Sequence, residues 1–311
     1  MFFGLLGFIL GTILGSLALA LADRSLENKT FFGRSRCPNC KHKLAWFDLI
    51  PIFSYLNLKG RCHYCHKKIK LEYLLVEIVV GSLIAILFWQ TFSNFPRFNP
   101  ADTFYYQYQV VNFFAELIAK TFLITILVIV AITDLKKTLI PDRITFPALK
   151  VILVYLLILV GYRIWYLYTG LSQNQIGNYL IHQTDYFYRH SLYIAEPLLS
   201  GLTMMLIVGL FFLVLIIITR GRGMGGGDLK LGILIGLFFG FPNAAAAILL
   251  SFLSGSIIAI ALILLGKKQF GQTIPFGPFL SLGAILTIFW GEQITKFYLT
   301  LSPINFPTLN F

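Results

Sequence analysis

Charge is scarce in this chain. Only 12% of its 311 residues are charged, and just thirteen of those are carboxylates, while 57% are hydrophobic. So little charge excludes an ordinary soluble domain and an intrinsically disordered chain, and points to a protein that crosses a membrane several times. Nucleotide-binding fingerprints are missing too: the glycine-rich run at 221–227 opens an apolar segment and carries no GK[ST]. No internal repeat is visible. No basic residue precedes the first apolar run, which argues against a cleaved signal peptide despite the small residues of Ala20-Leu21-Ala22. Residues 1–22 are therefore read as a membrane span.

Apolar runs lie near 2–22, 72–90, 113–133, 146–167, 196–219, 229–240, 243–265 and 276–295. Most reach the roughly 20 residues that a spanning helix needs. The sixth does not: at ~1.5 Å per residue it reaches roughly 18 Å against a hydrocarbon core of ~30 Å. That helix must start below the membrane surface, or the bilayer must thin around it. The net charge of +12 would suggest nucleic acid in a soluble protein. Here it is gathered in loops, and no nucleic-acid partner is expected. Eleven Lys and Arg fall in 23–71, and Lys136, Lys137, Arg143, Arg220, Arg222, Lys230, Lys267 and Lys268 fall in three further loops on the same side. The opposite loops, 91–112 and 168–195, hold only Arg97 and Arg189. The positive-inside rule puts the basic face in the cytoplasm and both termini outside. The expected fold is an all-α polytopic membrane protein of about eight transmembrane helices. It divides into helix 1 at 1–22, a small cytoplasmic zinc-binding insert at 23–71, and a membrane domain at 72–311.

The insert holds all four cysteines, as Cys37-Pro-Asn-Cys40 and Cys62-His-Tyr-Cys65, separated by 21 residues. Two CxxC turns at this spacing fit a four-cysteine zinc site, in which a tetrahedral ion closes a segment too small to bury a good core. Four thiolates leave no open position, so the zinc is structural. Two disulfides are the competing reading, disfavoured in a reducing compartment. His42, His63 and His66 read as surface residues, with ligand replacement as their alternative. In span one, Gly11, Gly15 and Ser16 are spaced for close helix packing.

Carboxylates at membrane depth need a reason, because an ionisable group is costly there. Asp134 follows about twenty apolar residues without a break. Asp142 follows Pro141 and reads as a helix cap or turn residue. Asp228 ends the glycine run of Gly223-Met-Gly225-Gly-Gly227-Asp228-Leu-Lys230, with capping of the short helix as its structural alternative. Glu77 lies more than a turn inside the second span; it either pairs with a basic group at the membrane face or serves the active site. Glu116 and Lys120 are spaced to pair at i, i+4. Topology puts Asp134 and Asp228 at one membrane face from different helices. Two aspartates brought together can share a proton, the ionised one activating water and the protonated one polarising a scissile carbonyl. A helix N-terminus favours the anion and a C-terminus disfavours it, which makes Asp228 the base and Asp134 the acid. Glycines without Cβ atoms at Gly223, Gly225 and Gly227 would let an extended peptide lie against the loop.

Together these residues resemble the type IV prepilin peptidase family, GxGD-type membrane aspartic peptidases also called prepilin leader peptidase/N-methyltransferases. Residues 35–77, including Trp46, Ile50-Pro51, Ser54-Tyr55-Leu56 and Tyr73 to Glu77, resemble the family's insert. Asp134 to Thr145 resembles its first aspartate motif, in which the leading aspartate is catalytic and the one after proline is not. Gly223 to Lys230 resembles the GxGD motif, and Ile274-Pro275-Phe276-Gly277-Pro278 also matches. The resemblance implies cleavage of the short basic leader from type IV prepilin or pseudopilin precursors, after a glycine, at the cytoplasmic face. The new N-terminus would then be methylated with S-adenosylmethionine, to which spacing assigns no residues. It makes Asp134 and Asp228 catalytic, and Gly223, Gly225, Gly227, Lys230, Pro275 and Gly277 candidate substrate contacts. Two positions depart from the pattern: Gly15-Ser16-Leu17-Ala18-Leu19 lacks the family's asparagine, and Leu74 stands where a proline is often found. A peptidase without methylation is the nearer alternative. A zinc-regulated transporter using Asp134, Asp228 and Glu77 as a proton relay is an alternative of another class, although the chain has no second matching half.

Overall fold

The computed structural model describes residues 2–31, 33–37, 39–98, 103–221, 223–267, 269 and 274–301. Arg222, Lys268 and Thr273, and residues 99–102 of the 91–112 loop, lie outside the described residues. The fold is all-α, with eleven helices among the described residues. They are α1 Phe2–Leu26, α2 Phe53–Asn57, α3 Leu71–Ser93, α4 Thr103–Lys137, α5 Asp142–Ser172, α6 Gln175–His182, α7 Tyr186–Ile194, α8 Glu196–Ile218, α9 Gly226–Phe239, α10 Asn243–Leu264 and α11 Gly277–Leu301. Six of them, α1, α3, α4, α5, α8 and α10, are long and apolar enough to cross a membrane. The other two expected spans are α9, with 14 residues, and α11, whose backbone leaves helical geometry at Trp290.

Two expected loops are shorter than the sequence suggests. The 91–112 loop yields its second half to α4, which runs for 35 residues as Phe104, Tyr105, Tyr106 and Tyr108 carry the helix onward with aromatics. The 168–195 loop holds the last turn of α5 and the short helices α6 and α7. Both segments are polar-aromatic, a composition that serves a helix end projecting into the interfacial region as well as it serves a loop.

The chain forms two compact units, Met1–Ile144 and Thr145–Phe311. In the first unit, α1 and α3 lie in close contact. Cβ atoms added at Gly7, Gly11 and Gly15 would come within 2.8 Å of the Ile84 carbonyl oxygen, 2.8 Å of the Gly81 Cα and 3.0 Å of the Glu77 Cα. Glycines four apart lie on one helix face, and their missing side chains let the two backbones meet.

In the second unit α9 lies among α8, α10 and α11. Its Leu231, Leu234, Ile235 and Leu237 are all buried. Beyond Lys230 the helix is apolar on every side, the pattern of an interior helix. Enclosed by protein, α9 need not match the bilayer thickness, which explains how 14 residues suffice. Gly236 places its missing Cβ 2.7 Å from the Met204 carbonyl oxygen of α8, and Gly201 of α8 sits just as tightly against the Leu237 carbonyl of α9. The helix ends at Gly240, whose φ of 60° is left-handed.

Candidate active site and metal centre

The metal centre is built from two turns of one design. In the first, the Cys37 N–H donates to the His42 carbonyl at 3.0 Å, the Lys41 N–H to the Cys37 carbonyl at 2.9 Å, and the Leu44 N–H to the Ser35 carbonyl at 3.0 Å. In the second, the Cys62 N–H donates to the Lys67 carbonyl at 2.9 Å, the His66 N–H to the Cys62 carbonyl at 2.9 Å, and the Ile69 N–H to the Gly60 carbonyl at 2.8 Å. Lys41 and His66, each just after the second cysteine of its turn, both take positive φ, 58° and 56°. Each turn is flanked by one antiparallel bridge, Arg36 with Lys43 and Arg61 with Lys68. The pattern recurs at an offset of 25 residues, a local repeat that sequence inspection missed because only Arg, Cys and Lys persist at matching places.

The four sulfurs of Cys37, Cys40, Cys62 and Cys65 lie within 4.8 Å of one another, with Cys37 and Cys65 3.9 Å apart. A tetrahedron of thiolates at ~2.3 Å from zinc has sulfurs about 3.8 Å apart, so the donor set fits that ion. Burial works to raise the Cys37 thiol, but hydrogen bonds from the backbone of Cys40 and Asn39 and from the Cys40 and Cys62 thiols bring it down to about 7. The Lys67 N–H favours the Cys65 thiolate, but desolvation and the three neighbouring sulfurs drive that thiol up to about 11. The histidines stay outside the cluster. The His42 ring lies 3.8 Å from that of Tyr64, and the His63 ring 5.2 Å from it.

Asp134 belongs to the first unit. It is buried in the last turn of α4, beside fully buried Thr133, and its carbonyl accepts the Thr138 N–H at 2.7 Å. Two residues on, Lys136 ties this helix end to the rest of the unit. Its ammonium meets Asp23 at the end of α1 at 2.8 Å and Glu72 at the start of α3 at 2.5 Å. The Tyr73 hydroxyl donates to the other Asp23 oxygen at 3.3 Å, and Lys137 donates to the Leu26 carbonyl at 3.2 Å. Sequence reading missed this cluster. Its available signal was Asp23, an acid at the end of a span in a stretch otherwise rich in basic residues. Among the described residues Glu77 pairs with no basic group. It is buried, accepts the Ile52 N–H at 2.7 Å, and takes a second hydrogen bond from Ser16. Asp142 is exposed in the first turn of α5, and Glu116 pairs with Lys120 at 2.5 Å.

Asp228 belongs to the second unit. Gly225 holds the N-cap position of α9 and Asp228 is the third helical residue, so the carboxylate is not itself the cap. Its Oδ2 accepts the Gly225 N–H at 3.2 Å, half of a capping box whose other half a glycine cannot supply. Asp228 is buried, yet Gly225 and Gly223 beside it are exposed. Gly225 has an extended backbone, φ −92° and ψ 159°, and nothing lies within 4 Å of a Cβ built on Gly226. Only Gly221 of the described loop glycines needs a left-handed φ, 71°. Lys230 places its ammonium 5.3 Å from the centre of the Phe146 ring, a cation–π contact. Pro275 is half-buried ahead of α11, and Gly277 is its buried first residue.

Two family models match the chain, and the second covers both aspartate motifs. The family model described as the bacterial peptidase A24 N-terminal domain matches residues 9–91, and that of the type IV leader peptidase family matches residues 121–260. A prepilin leader peptidase/N-methyltransferase of Bacillus subtilis is 31% identical over 296 residues, covering 95% of this chain and 97% of the relative. Proteins of the same name from Aeromonas salmonicida and Pseudomonas aeruginosa are each 28% identical, covering 86% and 85% of this chain and 75% and 74% of theirs. No solved structure matches the chain at a significant level. With one aspartate motif on a buried helix end, the other opening the innermost helix of its unit, and a relative matched over nearly its whole length at this identity, the chain belongs to the type IV prepilin leader peptidase family.

Proposed function

We propose that the protein is a membrane aspartic endopeptidase that removes the leader of type IV prepilin-like precursors after a glycine at the cytoplasmic face, and then methylates the new N-terminal amine. The observation that carries the peptidase reading is the setting of Asp228. A buried carboxylate at a helix N-terminus accepts a backbone N–H from Gly225, beside extended glycine backbone that is open to an approaching strand. The N-terminal dipole of α9 favours the anion on Asp228, and the C-terminal dipole of α4 disfavours it on Asp134. In the proposed mechanism Asp228 therefore serves as the base and Asp134 as the acid. Asp228 takes a proton from water as the hydroxide oxygen bonds to the scissile carbonyl carbon. Asp134 donates its proton to the carbonyl oxygen; as the C–N bond then breaks, Asp228 gives its proton to the leaving amine and the gem-diol hydroxyl returns one to Asp134. Gly223, Gly225 and Gly227, with Lys230, Pro275 and Gly277, are proposed to line the path of the peptide.

The Cys37, Cys40, Cys62 and Cys65 thiolates would hold a structural zinc ion, which supplies rigidity rather than chemistry. S-adenosylmethionine would supply the methyl group. An apolar cavity in the first unit does not suit it: about 550 Å³ in volume, the cavity is walled by residues such as Ile9, Ile13 and Phe53 and offers no charged group to a zwitterionic sulfonium compound. Mass spectrometry of a pilin-like precursor, incubated with the reconstituted enzyme and S-adenosylmethionine, reads the cut site and the added methyl together. Asp134→Asn and Asp228→Asn should each abolish cleavage while the protein stays folded. Full turnover by either variant would refute the paired-aspartate reading.

A further inference from the structure

The chain between α1 and α3 leaves and re-enters the membrane on one side, so an insert lying wholly in water is the simple expectation. One part of it does something else. The cavity described above has α1 as one wall, through Ile9 and Ile13, and the insert as the other, through Trp46, Pro51, Phe53 and Leu56. Ile13 lies eleven residues inside Arg24, the last charged residue of α1, or about 16 Å along the helix at ~1.5 Å per residue. That is close to the middle of a hydrocarbon core of ~30 Å. The insert segment therefore reaches back along α1 well past the point where the span begins.

Three further observations agree. Trp46, Phe53 and Leu56 are 78%, 64% and 62% exposed, an apolar surface that water would not favour. It continues the flank of α1 on which Ile9 and Ile13 are also about half exposed, and a spanning helix turns such residues to lipid. One backbone donor of the segment is handled as it must be where no water is available. Ile52 has φ 61° and ψ −53°, unusual for a β-branched residue, and its N–H is outside any helix. In hydrocarbon that donor needs a protein acceptor. Glu77 provides it at 2.7 Å, from six residues inside α3, with Ser16 of α1 on the same carboxyl group. A buried acid that meets a loop N–H rather than a base is accounted for by this placement.

We propose that Trp46–Leu56 is a re-entrant segment that dips into the bilayer along the lipid-facing side of α1, that an acyl chain fills the cavity between them, and that Glu77 is the group that satisfies the buried loop backbone there. The occupant is lipid because the cavity is continuous with the lipid-facing flank of α1. The inference rests on α1 and α3 spanning the membrane, not on the peptidase reading.

The test uses the whole chain with Trp46 as its sole tryptophan (Trp89→Phe, Trp165→Phe and Trp290→Phe), in phosphatidylcholine vesicles with brominated acyl chains. Trp46 fluorescence should be quenched strongly by the brominated lipid and only weakly by aqueous acrylamide. Moving the reporter by Leu56→Trp in a Trp46→Phe background should give the same result. Glu77→Leu should raise acrylamide quenching severalfold, whereas Glu77→Gln, which keeps an acceptor oxygen, should not. Should these variants misfold, amide exchange of the unaltered protein in lipid nanodiscs decides the matter. Peptides covering 46–56 should exchange much more slowly than those covering the cysteine turns. Free access of acrylamide without bromolipid quenching, or equally fast exchange, overturns the proposal. So does bromolipid quenching that disappears when a pilin-like precursor is added, which would assign the groove to the substrate's helix.

Discussion

Replacing Gly236 by alanine tests whether α8 sets the position of Asp228. The added methyl would sit 2.7 Å from the Met204 carbonyl oxygen, 2.9 Å from the Met204 carbonyl carbon and 3.0 Å from the Met205 nitrogen. All three are backbone atoms, so no side chain can swing aside. Ordinary contact begins at 3.4 Å, and α8 and α9 must therefore separate by at least about 0.7 Å. Overpacking of this kind typically costs about 1–3 kcal/mol. Asp228 lies eight residues away on the same helix, about 12 Å along its axis. A rigid helix carries the displacement to the carboxylate, and a misplacement near 1 Å costs on the order of 100-fold in rate. We expect Gly236→Ala to lower the kcat of leader cleavage by roughly ten- to a hundredfold, more than it lowers substrate binding, with a reduced unfolding temperature in detergent. Gly161→Ala is the control. Beyond its own helix turn no atom lies within 4 Å of its added methyl, so activity should be unchanged, with stability unaffected or raised by up to about 1 kcal/mol. Wild-type kinetics and unfolding temperature in Gly236→Ala would refute the claim that this backbone contact fixes α9.

Replacing Cys37 and Cys40 by serine should remove the bound zinc, read by atomic absorption, and expose residues 27–70 to limited proteolysis; unchanged metal content would remove the zinc assignment. In the metal-free protein the Cys65 thiol is still protonated at neutral pH, so zinc uptake must release a proton, and apparent affinity should rise between about pH 6 and pH 8 as Cys37 also ionises. A pH-independent affinity in a competition titration would contradict this. Lys136→Met should separate the end of α4 from Asp23 and Glu72. The stability cost should be only about 1 kcal/mol, because all three side chains are a quarter to a third exposed. Cleavage should fall disproportionately and be rescued by Lys136→Arg, as expected of a positioning residue two places from Asp134.

The long spans and the cysteine turns were legible because each rests on local chemistry: an uninterrupted apolar run, or two thiols three residues apart. Asp134 stood out because nothing near it in sequence excused a carboxylate at that depth. What the sequence concealed was who meets whom. The cluster of Asp23, Glu72, Tyr73 and Lys136 draws on three helices, and no periodicity announces it. The sequence offers Glu77 a basic partner or an active-site role, but its carboxylate meets a backbone N–H, which every residue but proline carries and which sequence therefore cannot single out. The burial of α9 followed the same logic: twelve apolar residues read alike whether their neighbours are lipid or Met204 and Phe212.

The doubled cysteine turn has a consequence for the stretch strung between its halves. Each half closes its own hydrogen bonds within about ten residues, so two bidentate chelates can exist before any ion arrives, and the ion only has to knot them. Once knotted, the 21 residues from Lys41 to Arg61 become a tether with both ends anchored, far less free to wander than an open loop. The hydrophobic tip at Phe53 can then reach only so far, in the way that a mooring line of fixed length decides how close a boat lies to the quay.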